Sequence, residues 1–386
     1  MTPIRFAVLT VCLLALAGCV TATVRTPYTI DELVGASVEG QYGLRFFPDR
    51  DPDLQSALGW SSAQGGKPPV PASERFDILA LSSGGPDGAY GAGIMKGLTE
   101  SGKRREYEIV TGVSTGALIA PFTFIGPQGD APLKEIYTSG EIGKVIGRPS
   151  VFAAVSGPAL YPATGIDQLI ARYVDEALLA KIANEHASGR RLLIATANID
   201  ANQLTVWNMG AIAKIGGDRG LTLFREILKG AIAIPGALAP VEINTGIGDR
   251  TITELHGDAG VLSYYYAEPG LVPSNYVRPG GNRGRARMDI ILHNQIKAPP
   301  ANVESRSLKL AARSVSALTR TSMRLLLDST LADTKTAGVE VRYTAIPLDW
   351  ETVSSLGFDT DYMRKTYDLG YRRALDDTLW QTGPID

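Results

Sequence analysis

The sequence of 386 residues predicts an α/β fold with a mainly parallel central sheet and helices packed on its faces. Three observations lead there. The apolar run Phe76–Leu81 is followed by a glycine-rich turn and a small-residue helix over about 86–99. A second apolar run, Tyr107–Thr111, passes through another glycine-flanked turn into an apolar helix from Ala117. Strand, turn and helix repeated in this way place two parallel strands side by side. The composition, 44% hydrophobic and 20% charged, is ordinary for a globular chain and supplies a large core.

The N-terminus does not belong to that fold. Arg5 precedes an apolar run over 6–18 that is too short to span a bilayer and has the n- and h-regions of a secretory signal. It ends Leu16-Ala17-Gly18-Cys19, which resembles a bacterial lipobox. That resemblance implies a signal peptide of residues 1–18, cleavage before Cys19 and lipidation of Cys19; an ordinary signal peptide is the alternative. Cleavage would remove Cys12, leaving no free thiol and no internal disulfide. Two acyl groups would anchor the chain stably in a membrane. Val20 rather than Asp follows the cysteine, and by resemblance to Gram-negative lipoproteins this implies the outer membrane of the cell envelope.

Residues 19–74 read as a tether and lead-in, with an exposed Gly/Pro/Ser-rich linker over Ser61–Ser73. The strand Phe76–Leu81 then opens the ordered core. Pro86 suits the first position of the following helix and Asp87 its positive end. Helical apolar spacing covers Ile166–His186. Arg191–Ile199 and Gln203–Trp207 read as paired strands about the polar turn 200–202, Val241–His256 as further strand, and Met288–His293 as a buried run closed by Pro299-Pro300. A long helix follows over Ser305–Leu331, then a strand, Val339–Ile346, and a closing helix, Asp361–Leu379. No boundary after residue 74 is sharp enough to split off a second domain. The formal charge of −2 lacks the basic footprint of a nucleic-acid partner.

Two motifs carry chemistry. Gly112-Val113-Ser114-Thr115-Gly116 matches G-x-S-x-G, in which a serine nucleophile sits on a strained strand-to-helix turn and flanking glycines, here Gly112 and Gly116, allow neighbouring chains to approach. Alone the match is weak, but the strand before it and the apolar helix after it are the context it needs. The loop Ser83-Gly84-Gly85-Pro86-Asp87-Gly88 could hold an anion on backbone N–H groups from Gly84, Gly85, Asp87 or Gly88, Pro86 having none. The competing explanation is close helix packing through Gly88, Gly91 and Gly93. A dinucleotide fingerprint fails because Lys96 stands where the third glycine belongs, and a P-loop ending is missing. His186 and His256 lack companions at zinc spacing, so no metal and no cofactor is expected.

The glycine loop, the G-x-S-x-G elbow about thirty residues on and a later Asp258-Ala259-Gly260 together resemble the patatin-like phospholipases. Between them Ala233-Ile234-Pro235 to Pro240 is similar to that family's small-residue, double-proline segment. The resemblance covers about 75–265 as catalytic core and implies the three-layer patatin-like fold, with 266–386 packed on the same domain. It further implies lipid acyl hydrolysis, with membrane lipids or other acyl esters as substrates. Ser114 would be the nucleophile, Asp258 the base of a Ser-Asp dyad, and Gly84, Gly85 and Gly88 the oxyanion hole. The choice of Asp258 rests on the motif alone.

Departures from the family pattern are Ser83 for its first loop glycine, Asp87 for the usual Arg or Lys, and Ala259 within Asp-Gly-Gly. Losing the basic residue weakens the case for a phosphorylated headgroup. Two other readings stay open: an inactive lipid- or partner-binding lipoprotein on this fold, and an α/β-hydrolase triad of Ser114, Asp258 and His293 in that chain order. His293 sits in an apolar run, where a core histidine is expected. Tyr264-Tyr265-Tyr266 reads as packing, and the basic loop Arg278–Arg287 as solvated or headgroup-facing.

Overall fold

Every residue of Phe76–Leu81 is buried, because the strand it forms lies in the middle of a sheet covered on both faces. The computed structural model describes residues 25–51, 53–60, 67–69, 74–146, 159, 161, 164–277, 285–298, 300, 302–354, 356–376 and 378–385. The signal segment, Cys19, most of the linker and residues 278–284 of the basic loop lie outside them.

Ten strands pair among the described residues: β1 Ser37–Val38, β2 Arg45–Phe46, β3 Phe76–Leu81, β4 Ile109–Val113, β5 Arg191–Asn198, β6 Gln203–Asn208, β7 Val241–Ile247, β8 Arg250–Asp258, β9 Ala286–Leu292 and β10 Glu340–Ala345. Strands β10, β9, β3, β4 and β5 form a continuous parallel block. Beyond β5 the pairing turns antiparallel, through β6 and β8 on β5, β7 on β8, β1 on β7 and β2 on β6. The helices that matter below are α1 Gly88–Glu100, α2 Thr115–Phe124, α3 Asp130–Thr138, α4 Thr164–Tyr173, α5 Glu176–Ala187, α6 Gly217–Ala231, α7 Ser307–Ala337 and α8 Thr360–Leu375.

Successive strand residues point to opposite faces, so each strand feeds two cores. Leu79, Leu81, Val110 and Ile194 pack with Ile94, Ile119 and Phe224 from α1, α2 and α6. Ile78, Ala80, Ile109 and Leu193 pack on the other side with Tyr264, Tyr265 and Tyr266, and with Met323 and Leu327 of α7. The result is a three-layer arrangement with a mostly parallel sheet in the centre. The C-terminal part joins it intimately: a Cβ on Gly93 of α1 would lie 2.0 Å from the Tyr367 carbonyl oxygen of α8, and one on Gly370 would lie 2.0 Å from that of Tyr90.

The periodic stretch Ile166–His186 divides into α4 and α5. Asp175 takes an extended conformation, and its side chain accepts from the Leu178 N–H, capping a new helix where apolar spacing alone runs on. The long helix α7 continues to Ala337, where Gly338 in the left-handed region (φ 72°) ends it. The closing helix stops at Leu375.

The lead-in is the larger correction. Residues 25–51 and 53–60, expected to tether, build part of the body: β1 and β2 extend the sheet, and Leu33, Leu44, Phe46 and Leu58 are buried. Arg45 holds Glu254 of β8 through two buried hydrogen bonds of 2.6 and 2.8 Å. Two-residue strands carry no readable period, so the sequence pattern could not announce them.

Candidate active site

The end of β4 turns sharply at Ser114, whose φ of 56° and ψ of −122° lie in a region that a residue with a side chain rarely occupies, and α2 begins at once. Such strain costs about 1–3 kcal/mol and persists only where the surroundings enforce it. The flanking glycines show how they do so. A Cβ on Gly116 would stand 2.3 Å from the Leu81 carbonyl oxygen of β3, and one on Gly112 would stand 2.5 Å from that of Gly116. No side chain fits at either place, so the turn can close only with glycine there.

Ser114 Oγ donates a 2.6 Å hydrogen bond to Asp258 Oδ2, and both residues are 3% exposed. The other carboxylate oxygen, Oδ1, accepts from the Gly260 N–H at 2.7 Å, which fixes the plane of the group. Sheet topology creates the meeting. One edge of β5 is occupied by β6 over Leu193–Asn198. Its other edge is therefore shared, by β4 over Arg191–Ala195 and by β8 over Thr196–Asn198. Strand β4 arrives parallel and β8 antiparallel, so their C-terminal ends face each other across consecutive residues of β5. Val113 pairs with Ala195 and Asp258 with Thr196.

Burial pushes the Asp258 carboxyl up to about 6, against the lowering effect of the Ser114 and Gly260 hydrogen bonds. It is thus mostly ionised at neutral pH, yet basic enough to take a proton. No histidine ring bonds either partner among the described residues. His293 is fully buried; its Nδ1–H donates to the Ser82 carbonyl at 2.7 Å, and its Nε2 abuts Gly91. Burial lowers it to about 4, so it is neutral. His256, also buried, lies in a chain that runs from Trp207 Nε1 to Thr196 Oγ1 (2.7 Å), to His256 Nδ1 (2.9 Å), and from Nε2 to Glu254 (3.1 Å). His186 is half-buried on α5. Among the described residues no three His, Cys, Asp or Glu side chains are grouped to hold a metal ion.

The glycine loop faces Ser114 across a cavity of about 560 Å³ lined by Ser83, Gly84, Gly85, Asp87, Ser114 and Asp258. Among the described hydrogen bonds, the N–H groups of Gly84 and Gly85 donate to nothing and so remain available to an oxyanion. Gly88 departs from expectation. Its N–H is turned onto the Gly85 and Pro86 carbonyls, and a Cβ on it would meet Thr115 Oγ1 at 2.1 Å, so this glycine serves packing. The Asp87 N–H is likewise spent, on the Gly84 carbonyl at 3.3 Å.

Sequence reasoning missed the far wall of the cavity. Thr319 and Arg320 of α7, Asn294 and the segment 352–354 line it. From α8, Tyr362 donates a hydrogen bond to the Asp87 carboxylate. Burial raises Asp87 to about 7, opposed by that hydrogen bond and by the charge of Arg320. These groups lie more than two hundred residues from the loop they face, so no local signal could mark them. Thr115 was equally silent: as the first residue of α2 its N–H has no partner within the helix and lies beside the nucleophile.

The sequence model of the patatin-like phospholipase family matches residues 79–268, which span the loop, the elbow and Asp258. Those residues are a patatin-like phospholipase domain. Loop, elbow and aspartate all fall within the matched span of this patatin-like domain. Among solved structures the chain is similar to VipD from Legionella pneumophila, at 12% identity and a TM-score of 0.39, over 81% of this chain and 68% of that one. It is also similar to the type III effector protein ExoU, at 14% identity and a TM-score of 0.27, over 80% of this chain and about half (54%) of that one. No curated protein matches the chain in sequence.

Proposed function

We propose that the chain is a serine lipid acyl hydrolase that cleaves carboxylic esters through a Ser114–Asp258 dyad and an acyl-enzyme intermediate. The observation that carries the reading is the 2.6 Å hydrogen bond from Ser114 Oγ to Asp258 Oδ2. Asp258 takes the serine proton as Oγ attacks the ester carbonyl. The developing oxyanion is held by the free N–H groups of Gly84 and Gly85 and by the positive end of α2 at Thr115. Collapse of the tetrahedral intermediate breaks the ester C–O bond, and Asp258 returns the proton to the leaving alcohol. A water molecule, deprotonated by Asp258, then attacks the acyl-serine and releases the carboxylic acid and Ser114.

The cavity opposes a carboxylate, Asp87, to a guanidinium, Arg320, rather than presenting basic groups alone. That supports a broad lipid-ester substrate range over a dedicated phosphate clamp. In this reading Cys19, outside the described residues, carries the lipid anchor and holds the domain at the outer membrane. The test is a panel of esters and phospholipids offered to the wild-type chain and to Ser114→Ala; turnover that survives the substitution excludes Ser114 as nucleophile. The buried Asp87, where the family has a basic residue, favours a second reading, an inactive lipid binder. Labelling by a fluorophosphonate at Ser114 separates the two, since an inactive binder is left unlabelled.

A further inference from the structure

The first four turns of α7 bury none of their described side chains fully. No described side chain from Ser307 to Ser322 is buried; full burial begins at Met323 and continues along Leu327, Thr330 and Thr334, with Leu326, Leu331 and Ala337 packed beside them. Most helical stability in proteins comes from burying an apolar face, so this helix end is held by its continuation and by the hydrogen bonds of Arg320. It is nonetheless apolar outside: Leu310, Val315, Leu318 and Leu325 are 48%, 62%, 68% and 64% exposed. At about 100° per residue, Leu310, Leu318 and Leu325 fall within roughly 80° of one another, and Lys309, Arg313, Arg320 and Arg324 within roughly 60° on the adjoining flank. Residues 305–327 contain no Asp or Glu, in a chain whose overall charge is −2.

The exposed apolar residues reach the mouth of the cavity at Val315. Val315 and Arg320 line the cavity that holds Ser114, and so does Val261, 59% exposed, from the segment following Asp258. Arg320 donates to the Gln295 carbonyl at 3.1 Å, and Gln295 in turn binds the backbone of Leu348, 52% exposed. Leucines beside a basic, acid-free flank match the acyl–headgroup boundary of an anionic bilayer, where apolar side chains enter and Lys and Arg meet phosphates. Among the described residues no helix is long and apolar enough to cross a membrane.

We infer that the N-terminal half of α7 docks the catalytic cleft on an anionic lipid surface, with Leu310, Leu318 and Leu325 inserted and Lys309 and Arg324 on headgroups. The inference deepens the ester-hydrolase reading and rests on it for the purpose of docking, though not for the docking itself. Charge complementarity and continuity with the cleft select a bilayer as occupant.

The test uses the full chain with Ser114→Ala, so that binding is read without turnover. Cys12→Ser and Cys19→Ser leave a single thiol, introduced by Ser314→Cys in the exposed stripe and labelled with an environment-sensitive fluorophore. Vesicles of equal parts phosphatidylcholine and phosphatidylglycerol should shift the emission to the blue, with an affinity that falls as salt is added. Phosphatidylcholine alone should give little shift. Leu318→Asp should weaken the response about tenfold or more and Arg324→Glu about fivefold, with helix content unchanged by circular dichroism. A silent probe, an equal response to both vesicles, or indifference to both substitutions overturns the inference. So does a shift that grows with protein concentration without lipid, which assigns the face to a second copy of the chain. Hydrolysis of a soluble short-chain ester by the wild-type chain is scored separately, so the hydrolase reading can fail while docking stands, or the reverse.

Discussion

Ser114 and Asp258 touch because their strands end head to head on one edge of β5, at the consecutive residues Ala195 and Thr196. The nucleophile needs a parallel strand running into a helix, and the carboxylate needs an antiparallel strand arriving from the other direction. A purely parallel sheet would bring both strand ends to one rim side by side, several ångströms apart. The change from parallel to antiparallel pairing at β5 points them at each other.

Asp258→Asn should nearly abolish ester hydrolysis while His293→Gln keeps most of it in every preparation that remains folded. The amide can still accept from Gly260 and meet the serine hydroxyl, but it cannot take a proton, and general-base assistance is worth about a hundredfold to ten-thousandfold. His293 bonds Ser82 instead. Steady-state rates on one soluble ester, with matched melting curves, decide it; collapse of activity in a folded His293→Gln chain would favour a histidine-dependent triad.

The pH–rate profile should rise through about 6, as Asp258 loses its proton, and decline through about 7, as Asp87 gains a negative charge in the cavity where an oxyanion must form. The groups facing Asp87 are Tyr362, Arg320 and Tyr264. Asp87→Asn should leave the acid limb in place and extend the plateau to higher pH. An alkaline limb unchanged by Asp87→Asn would assign that decline to another group.

Stability should run the opposite way to the base's ionisation. Asp258 is raised from 3.8 to about 6 in the folded chain, so between these values the folded state binds more protons than the unfolded one. Stability is therefore full below the unfolded value and falls as pH rises through about 6, by on the order of 2–3 kcal/mol. Asp258→Asn removes this loss. It should melt above the wild type at pH 8, with the gap closing by pH 4, as read by calorimetry at both values.

Gly84→Ala should lower kcat by about a hundredfold to a thousandfold, the effect of losing an oxyanion donor. Its Cβ would lie 2.2 Å from the His293 carbonyl oxygen, so the loop must move away from Ser114. Near-normal turnover in this variant would show that the loop's N–H groups have no part in the reaction.

Arg45→Ala should destabilise the fold by about 3–5 kcal/mol, because it strands the buried Glu254 charge. Burial pushes Glu254 up, but His256 and Arg45 more than offset it and hold it at about 2. The stabilisation is thus present above 4.5 and lost as pH falls towards 2. Urea unfolding at neutral pH measures the loss, and a cost within experimental scatter would mean that the lead-in only rests on the sheet.

Local chemistry was legible in the sequence by itself. The strands Phe76–Leu81 and Arg191–Asn198, the glycine loop and the elbow at Ser114 could be read because each depends on neighbours within a few residues: apolar runs, turn glycines and a helix start. The patatin-like resemblance added Asp258 through its motif, without a physical reason to prefer that acid. The tertiary structure alone decided what depends on distant partners. It placed Asp258 beside Ser114 through the two-way edge of β5, and turned Gly88 from donor to spacer against Thr115. It drew residues 25–51 and 53–60 into the body of the fold through Arg45 and Glu254, and brought Arg320 to the cavity wall and Tyr362 to Asp87 from far along the chain. Such pairings are set by how strands order and helices pack, and hydrophobic period and turn chemistry carry no record of either.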